Sequence, residues 1–259
     1  MHALIEQWRQ CCFDTPPFFF PGDAARIKGK QIRFASHDAY VASKEFGDRA
    51  DHKFHVNLLP EPYCGNLETA KVFLLSLNPG LGDAAYLGEH KPIRAALVRS
   101  IRQENRADEF PFPHLDPAFA DTGGYRYWTK KLSWVIEQLK SERGLNHLET
   151  LRFLSKTIAT VELCPYHSRG FPALKLRGIP STDHVLEYVH DVLVPKATRG
   201  DIGLVVLRAG KRWDLKLSEN VVVNRGTAGR SSRLGSQDDG GRLLARYLNL
   251  GRALRRAGK

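Results

Sequence analysis

The chain has 259 residues, of which 42% are hydrophobic and 10% aromatic, so it is long enough to bury one sizeable core. Its 39 Lys and Arg exceed its 28 Asp and Glu, and the formal net charge of +11 favours an anionic partner, with DNA or another nucleic acid ahead of a membrane surface. No apolar stretch approaches the ~20 residues that span a bilayer, and the opening MHALIEQWRQ is too polar for a secretory signal. We therefore expect a cytoplasmic protein without a membrane partner.

Residues 1–60 carry the aromatic and proline-rich run PPFFFPG but no strong strand pattern, which predicts an N-terminal elaboration packed on the core. The main domain is predicted over 61–259. Four apolar or β-branched segments there end in Pro, Gly or a polar turn and are predicted as strands. They are 71–79, 157–166, 202–210 and 220–226.

Helical periodicity separates these strands. Helices are predicted around 92–103, 126–143, 148–159 and 183–195, and another at 240–257 after the last strand. Strands that alternate with helices indicate parallel pairing, because each crossover returns the chain along a helix. The fold class predicted is α/β, a three-layer α/β/α sandwich with a central, mostly parallel four-stranded sheet.

The four cysteines show neither the C-x-x-C spacing of a metal site nor the density of a secreted disulfide scaffold. They are Cys11, Cys12, Cys64 and Cys164. We interpret them as reduced thiols and predict no metal and no cofactor. Nothing in the sequence indicates an obligate protein partner.

The most informative segment is KVFLLSLNPG at 71–80, where a buried strand ends in Asn78, Pro79 and Gly80. In open α/β sheets ligands bind just beyond the carboxyl ends of the strands, so the Asn78 amide lies where chemistry is usually done. Asn-Pro-Gly is also an ordinary turn sequence, and that simpler interpretation remains open.

Positive charge is concentrated towards the end of the chain. From Arg208 to Lys259 there are 13 Lys and Arg but 4 Asp and Glu, so this segment carries +9 of the net charge of +11. A solvated basic face would have the same composition. The clustering nevertheless favours nucleic acid as the partner.

With these residues in view, the chain resembles the uracil-DNA glycosylase superfamily, and within it the branch of mismatch-specific uracil/thymine glycosylases. The resemblance rests on SLNPG at 76–80, FPFPH at 110–114 and YRYW at 125–128, and extends over about 71–250. Residues 1–60 lie outside it.

The resemblance implies a role for each matched position. Asn78 would hold the water that attacks C1′ of the target nucleotide, and Gly80 would let the backbone approach the base. Phe112 would stack on the flipped base, with Phe110 and Phe119 as rival stackers. A core aromatic is the competing interpretation of Phe112.

A second candidate cluster lies in VELCPYHSRGF at 161–171. By resemblance, this strand end reads the pyrimidine edge, with Tyr166 and Ser168 binding substrate and His167 donating to a base carbonyl or stabilising the leaving anion. Glu162 interrupts an apolar strand. Since an unpaired buried carboxylate is costly, we expect it either to face the pocket or to pair with a base such as Arg208.

The sequence departs from the family after the final strand, where a His-Pro-Ser loop is replaced by NRGTAGRSSR at 224–233. We predict that Asn224, Arg225, Arg230 and Arg233 contact DNA, because arginine suits bidentate phosphate binding. A solvated basic loop is the competing interpretation.

The sequence also lacks the tyrosine that excludes a 5-methyl group shortly after the catalytic residue in uracil-specific enzymes. The pocket is therefore expected to be open at C5 of a pyrimidine. Asp83, Tyr86 and Glu89 are further candidates, as groups that bind substrate hydroxyls. A 5-substituted base is accordingly favoured, from mispaired thymine to a hypermodified base such as glucosylated hydroxymethylcytosine in phage DNA.

Three functional hypotheses follow. The first is a monofunctional DNA glycosylase, since no lysine stands at the motif to form a Schiff base. The second is a catalytically silent DNA-binding protein with a glycosylase-like fold. The third, an enzyme acting on small nucleotides or nucleosides, does not account for the basic C-terminal region.

Overall fold

The computed structural model describes residues 2–88, 92–224 and 234–251. Its main sheet has five strands in the order β3-β5-β4-β6-β7, and a small parallel sheet pairs β1 with β2. The strands are β1 Gln31–Ile32, β2 Phe54–His55, β3 Tyr63–Cys64, β4 Val72–Ser76, β5 Ile158–Glu162, β6 Gly203–Val206 and β7 Val221–Val223. Strands β4 to β7 are parallel, and only β3 runs antiparallel, against β5.

Helices connect these strands. They are α1 Ala3–Gln10, α2 Asp23–Arg26, α3 His37–Val41, α4 Ala85–Gly88, α5 Ile93–Ile101, α6 Gly123–Lys131, α7 Ser133–Arg143, α8 His147–Thr157, α9 Pro180–Tyr188, α10 Val194–Thr198, α11 Gly210–Trp213 and α12 Asp239–Tyr247. Within the described ranges, no helix is both long enough and apolar enough to cross a bilayer.

The sheet separates two hydrophobic cores because successive side chains of a strand point to opposite faces. In β4, Val72 and Leu74 pack into the core formed with α7, α8 and α12. Phe73 and Leu75 pack into the core formed with α1, α9 and the N-terminal segment. Both faces of the sheet are therefore covered, as the continuous apolar runs of the strands predict.

The sheet has five strands, so the prediction of four was wrong. The missed strand is β3, which pairs Tyr63 with Val161 and Cys64 with Thr160. Two residues are too short for a periodic pattern, and Gly65, at φ +99°, ends the strand. A Cβ on Gly65 would lie 2.8 Å from the carbonyl oxygen of Ile158. Because glycine has no Cβ, the end of edge strand β3 can lie this close to β5.

The four predicted strands are present, although each is shorter than predicted. Two of the predicted helices are interrupted. The helix predicted at 126–143 is divided at Leu132 into α6 and α7. The helix predicted at 183–195 runs from α9 into α10 through a π turn at Val189–Leu193, just before Pro195. Proline cannot donate a helical hydrogen bond, which accounts for wider spacing at that point.

The N-terminal segment shares the core of the sheet. Leu4, Trp8 and Phe20 are buried in the same cluster as Phe73 of β4 and Val161 of β5. This packing brings residues 1–60 against the loop that follows β5, which bears directly on the candidate site.

Candidate functional site

Asn78 lies two residues beyond β4, at the carboxyl edge of the parallel strands, and is 5% exposed. Its Nδ2 donates to the carbonyl oxygens of Pro79 at 2.9 Å and Tyr166 at 3.1 Å, and contacts Ser168 Oγ at 2.9 Å. Carbonyl oxygens only accept hydrogen bonds, so the orientation of the amide is fixed. Among the described residues no donor is bonded to Oδ1, which leaves an acceptor for a ligand or water.

The loop after β5 completes this arrangement. Ser168 is buried, its N–H donates to the Pro79 carbonyl oxygen at 3.3 Å, and it forms an isolated parallel bridge with Gly80. The loops after β4 and β5 are thus joined by backbone as well as by side-chain bonds. Such a joint holds a small polar site rigidly, because neither loop can move without breaking several hydrogen bonds.

A pocket of about 420 Å³ opens at this edge of the sheet. Its lining residues follow three neighbouring strands, β4, β5 and β6, or come from the N-terminal segment. They are Arg49, Asn78, Gly80, Leu81, Ser168, Arg169 and Arg208. In the sheet, β4 leads to β5 on one side and β6 leads to β7 on the other, so the loops that follow these two adjacent strands diverge and leave a crevice between them.

Glu162 ends β5 as a buried carboxyl group, and its Oε2 has no hydrogen-bond partner within the described residues. Burial and the nearby Glu61 carboxylate raise the Glu162 pKa to about 8, although Ser76 and Arg208 act in the opposite direction. At neutral pH the group is therefore mostly protonated. In that state the carboxyl group is able to donate a hydrogen bond and is not a simple ion-pair partner of Arg208.

His167 is held between two loops. Its Nδ1 lies 3.0 Å from the Gly80 carbonyl oxygen, and its Nε2 lies 3.0 Å from that of Leu59 and 3.5 Å from Glu61 Oε1. Both ring nitrogens therefore face backbone carbonyl oxygens, which accept hydrogen bonds. This geometry makes His167 a support for the Gly80 backbone, and the predicted contact with a base stays a prediction.

Glu61 also binds His114, the histidine of the FPFPH segment, with Oε2 2.7 Å from His114 Nε2. Burial raises the pKa of Glu61, but the charges of His114 and His167 and the hydrogen bond from His114 outweigh it, so the pKa is lowered overall. Glu61 therefore remains ionised close to the neutral Glu162. Two nearby carboxyl groups are thus held in opposite protonation states.

The Tyr166 side chain points away from this edge. Its hydroxyl donates to Asp23 Oδ2 at 2.6 Å and accepts from the Phe20 N–H at 3.1 Å, and the residue is 1% exposed. The predicted contact with substrate does not fit this placement. Tyr166 serves the site through its carbonyl oxygen, which accepts from Asn78, and its ring holds the N-terminal segment on the core.

Two further predicted residues have structural surroundings. Phe112 is fully buried, with its ring packed edge-on against Trp128, which leaves no face open for stacking on a base. Asn224 is buried and accepts from the Gly240 N–H at 3.2 Å, in the first turn of α12. These contacts explain Phe112 without a ligand, whereas the buried Nδ2 of Asn224 has no hydrogen-bond partner among the described residues.

Of the groups proposed to bind hydroxyls, Asp83 forms an ion pair with Arg169. Tyr86 is buried, with its hydroxyl 2.9 Å from Nδ1 of His55. Glu89 and the predicted DNA contacts Arg225, Arg230 and Arg233 lie outside the described residues. Among the residues described, no group of three or more His, Cys, Asp or Glu side chains is arranged to hold a metal ion.

Sequence reasoning missed Arg49 and Arg169 as pocket residues and treated Arg208 only as a partner for Glu162. Arg169 belongs to the segment HSRG, directly after Ser168, so its neighbourhood was visible in the sequence. Arg49 lies in the N-terminal segment and has no local signal. Only the fold brings it to the strand ends.

Scans against protein-family models, curated proteins and solved structures each find no match to this chain. The resemblance to the uracil-DNA glycosylases therefore stays a prediction that rests on the motifs and on the geometry of Asn78.

Proposed function

We propose that this protein is a monofunctional DNA glycosylase that hydrolyses the N-glycosidic bond of a flipped-out pyrimidine nucleotide and leaves an abasic site. The observation that carries the proposal is the fixed orientation of Asn78. Its Nδ2 is held by Pro79, Tyr166 and Ser168, so Oδ1 is the atom that accepts a hydrogen bond from a water at the strand end.

The chemistry suits a neutral amide. Water adds to C1′, the bond from C1′ to the base nitrogen breaks, and the base takes the bonding electrons. The transition state carries positive charge on the sugar and negative charge on the base, so placing the water and stabilising charge matter more than a strong base does. Asn78 performs the first task, and a proton lost by the water can pass to the departing base.

Glu162 remains a proposed substrate-binding residue. Because its pKa is raised to about 8, it is mostly a neutral acid at pH 7 and can donate to a carbonyl oxygen of a pyrimidine. Glu162 is not among the described residues that line the pocket, so this contact requires the base to extend past those residues to the end of β5.

The pocket composition favours DNA and simple hydrolysis. Three of its lining residues are arginines, which suit a strand of phosphates, and none of the described lining residues is a lysine that would form a Schiff base. A Cβ added at Gly80 or Gly82 would contact no atom within 4 Å, so there is room beside Asn78. We propose a 5-substituted pyrimidine as substrate, including the glucosylated hydroxymethylcytosine of phage DNA, which would make the protein a defence factor.

A catalytically silent DNA-binding protein is the second candidate. Asn78 is nearly buried, and its hydrogen bonds join two loops, which is a complete structural role without catalysis. In that case the arginine-lined pocket would bind DNA, and the loss of Asn78 would change stability alone.

The deciding experiment measures base release from DNAs that contain uracil, mispaired thymine, hydroxymethylcytosine or its glucosylated form. Mass spectrometry detects the base, and alkali cleavage detects the abasic site. We expect Asn78→Ala to slow release about a hundredfold or more while DNA affinity is kept. The matched control is Asn57→Ala, because Asn57 also donates to a carbonyl oxygen, that of Phe34, but lies outside the pocket.

Equal release by the Asn78→Ala variant and the parent would refute the catalytic role. DNA binding without release from any of the four substrates would favour the silent binding protein.

A further inference from the structure

The pocket beside Asn78 is unusually rich in guanidinium groups. Arg49, Arg169 and Arg208 reach it from three separate parts of the chain: the N-terminal segment, the loop after β5 and the loop after β6. Like charges brought together repel one another. A pocket that collects them is therefore best matched by an anion with several acceptor oxygens.

The backbone next to Arg49 is held firmly. The Gly170 N–H donates to the Asp51 carbonyl oxygen at 2.9 Å, and the Asp51 carboxylate lies 2.7 Å from Nε2 of His55 in a fully buried pair. The Ala50 N–H donates to Asp48 Oδ1 at 2.8 Å, which forms a turn directly around Arg49. The segment therefore brings Arg49 to the pocket through fixed bonds on both sides.

The His55 N–H also donates to the His167 carbonyl oxygen at 2.9 Å. Together with the bond from Gly170 to Asp51, this contact aligns the N-terminal segment beside the loop 167–170. That loop supplies Ser168 and Arg169 to the pocket. The N-terminal segment thus both supports the site and contributes a side chain to it.

The described carboxyl groups near the pocket offset only part of this positive charge. Asp83 forms an ion pair with Arg169, whereas Glu162, the acidic neighbour of Arg208, is held mostly protonated at neutral pH. Arg49 has no carboxylate within ion-pair distance among the described residues. Among the described residues, the three arginines and these carboxyl groups therefore sum to a net positive charge beside the Asn78 amide.

We propose that this pocket binds a backbone phosphate of the substrate strand next to the target nucleotide, and that Arg49 of the N-terminal segment is one of its ligands. This inference rests on the proposed function, because it places the sugar of that nucleotide between the phosphate and Asn78. It adds a substrate contact from residues 1–60, which the sequence analysis left outside the functional domain.

The test measures binding by fluorescence anisotropy, with an oligonucleotide that carries a tetrahydrofuran abasic analogue in place of the target nucleotide. This probe needs neither catalysis nor a known base. Single phosphates on either side of the analogue are replaced in turn by neutral methylphosphonate. At one position we expect the replacement to weaken binding by the parent about tenfold, the effect of one charged hydrogen-bonding contact.

Arg49→Ala should weaken binding to the unmodified strand by a similar factor and should be insensitive to methylphosphonate at that position, because the contact is already lost. Arg49→Lys keeps the positive charge but loses the planar guanidinium that forms two parallel hydrogen bonds to a phosphate, so its affinity should lie between those of the parent and Arg49→Ala. The matched control is Arg33→Ala, an exposed arginine of the same segment outside the pocket, which should behave as the parent. Thermal unfolding verifies that all variants fold.

The proposal is overturned if Arg49→Ala and the methylphosphonate weaken oligonucleotide binding independently, so that the two fold-reductions in affinity multiply when both changes are present. It is also overturned if Arg49→Ala binds the unmodified strand as tightly as Arg33→Ala does. Inorganic phosphate and a deoxynucleoside 5′-monophosphate serve as competitors. If the monophosphate displaces the labelled strand at the same concentration as unlabelled oligonucleotide does, the pocket binds a free nucleotide, and the assignment to a phosphate within a DNA strand is overturned. A coupled loss at Arg49 without base release on any DNA would keep the contact between Arg49 and a DNA phosphate but would refute the glycosylase, and with it the placement of that phosphate next to a target nucleotide.

Discussion

The Nδ2 atom of Asn78 lies 2.9 Å from Oγ of Ser168, and this contact joins the loops that follow two adjacent parallel strands. The same nitrogen donates to the Tyr166 carbonyl oxygen, so the amide is held by the β5 loop on one side. Asn78 lines the pocket, and its oxygen has no hydrogen-bond donor among the described residues. The sequence predicted Asn78 as a catalytic residue, with a simple turn as the competing interpretation, and the structure gives its amide a defined orientation.

Replacing Asn78 by aspartate tests this orientation. In Asn78→Asp a carboxylate oxygen would face the carbonyl oxygens of Pro79 and Tyr166, which donate nothing. We expect the free energy of unfolding to fall by about 1–3 kcal/mol at pH 7, and the loss to shrink at acidic pH, where the carboxyl is protonated. Chemical denaturation at pH 5 and pH 7 measures this effect, and an unchanged stability at both pH values would contradict the orientation.

Glu162 gives a prediction of pH dependence. Its pKa is about 8 in the folded protein, against an ordinary value of 4.5, so the folded state binds more protons than the unfolded state between these values. This group therefore makes stability fall as pH rises from about 4.5 to about 8. Glu162→Gln removes the ionisation, and the melting temperature of the variant relative to the parent should rise steadily across that window.

A constant difference in melting temperature at every pH from 5 to 9 would show that Glu162 does not titrate in this way. Glu68→Gln is the control, because Glu68 forms an exposed pair with Arg106 and should give a small difference at every pH.

Tyr166 is expected to stabilise the protein without taking part in chemistry. Tyr166→Phe removes the donor to the buried Asp23 carboxylate, whose pKa is already raised by burial despite hydrogen bonds from Ser181 and Tyr166. The loss should be about 1–3 kcal/mol in the free energy of unfolding, the cost of leaving a buried group without its partner. Base release, measured well below the melting temperature, should be nearly unchanged; a large loss of rate with full stability would restore the substrate role.

The pH profile of base release distinguishes a structural role of His167 from a catalytic one. The ring holds the carbonyl oxygens of Gly80 and Leu59, so His167→Ala should lower both the melting temperature and the maximal rate. The shape of the profile should stay that of the parent, because no titrating catalytic group is lost. The disappearance of one limb of the profile in the variant would instead show that His167 transfers or holds a proton in the reaction.

The sequence by itself determined the layered plan of the sheet. Four continuous apolar runs separated by helical patterns predicted parallel strands β4 to β7, because strands buried on both faces must be apolar throughout. It also placed Asn78 at a strand end. These features are local, so they can be read from neighbouring residues.

Only the tertiary structure decided which side chains meet at that strand end. Tyr166 and Ser168 are two residues apart, yet the tyrosine ring enters the core while the serine hydroxyl contacts Asn78, because the chain has left the regular strand and its alternation no longer holds. Arg49 and Arg208 share a pocket although about 160 residues separate them in the sequence. Such proximity depends on long-range packing of the N-terminal segment, for which no local pattern exists.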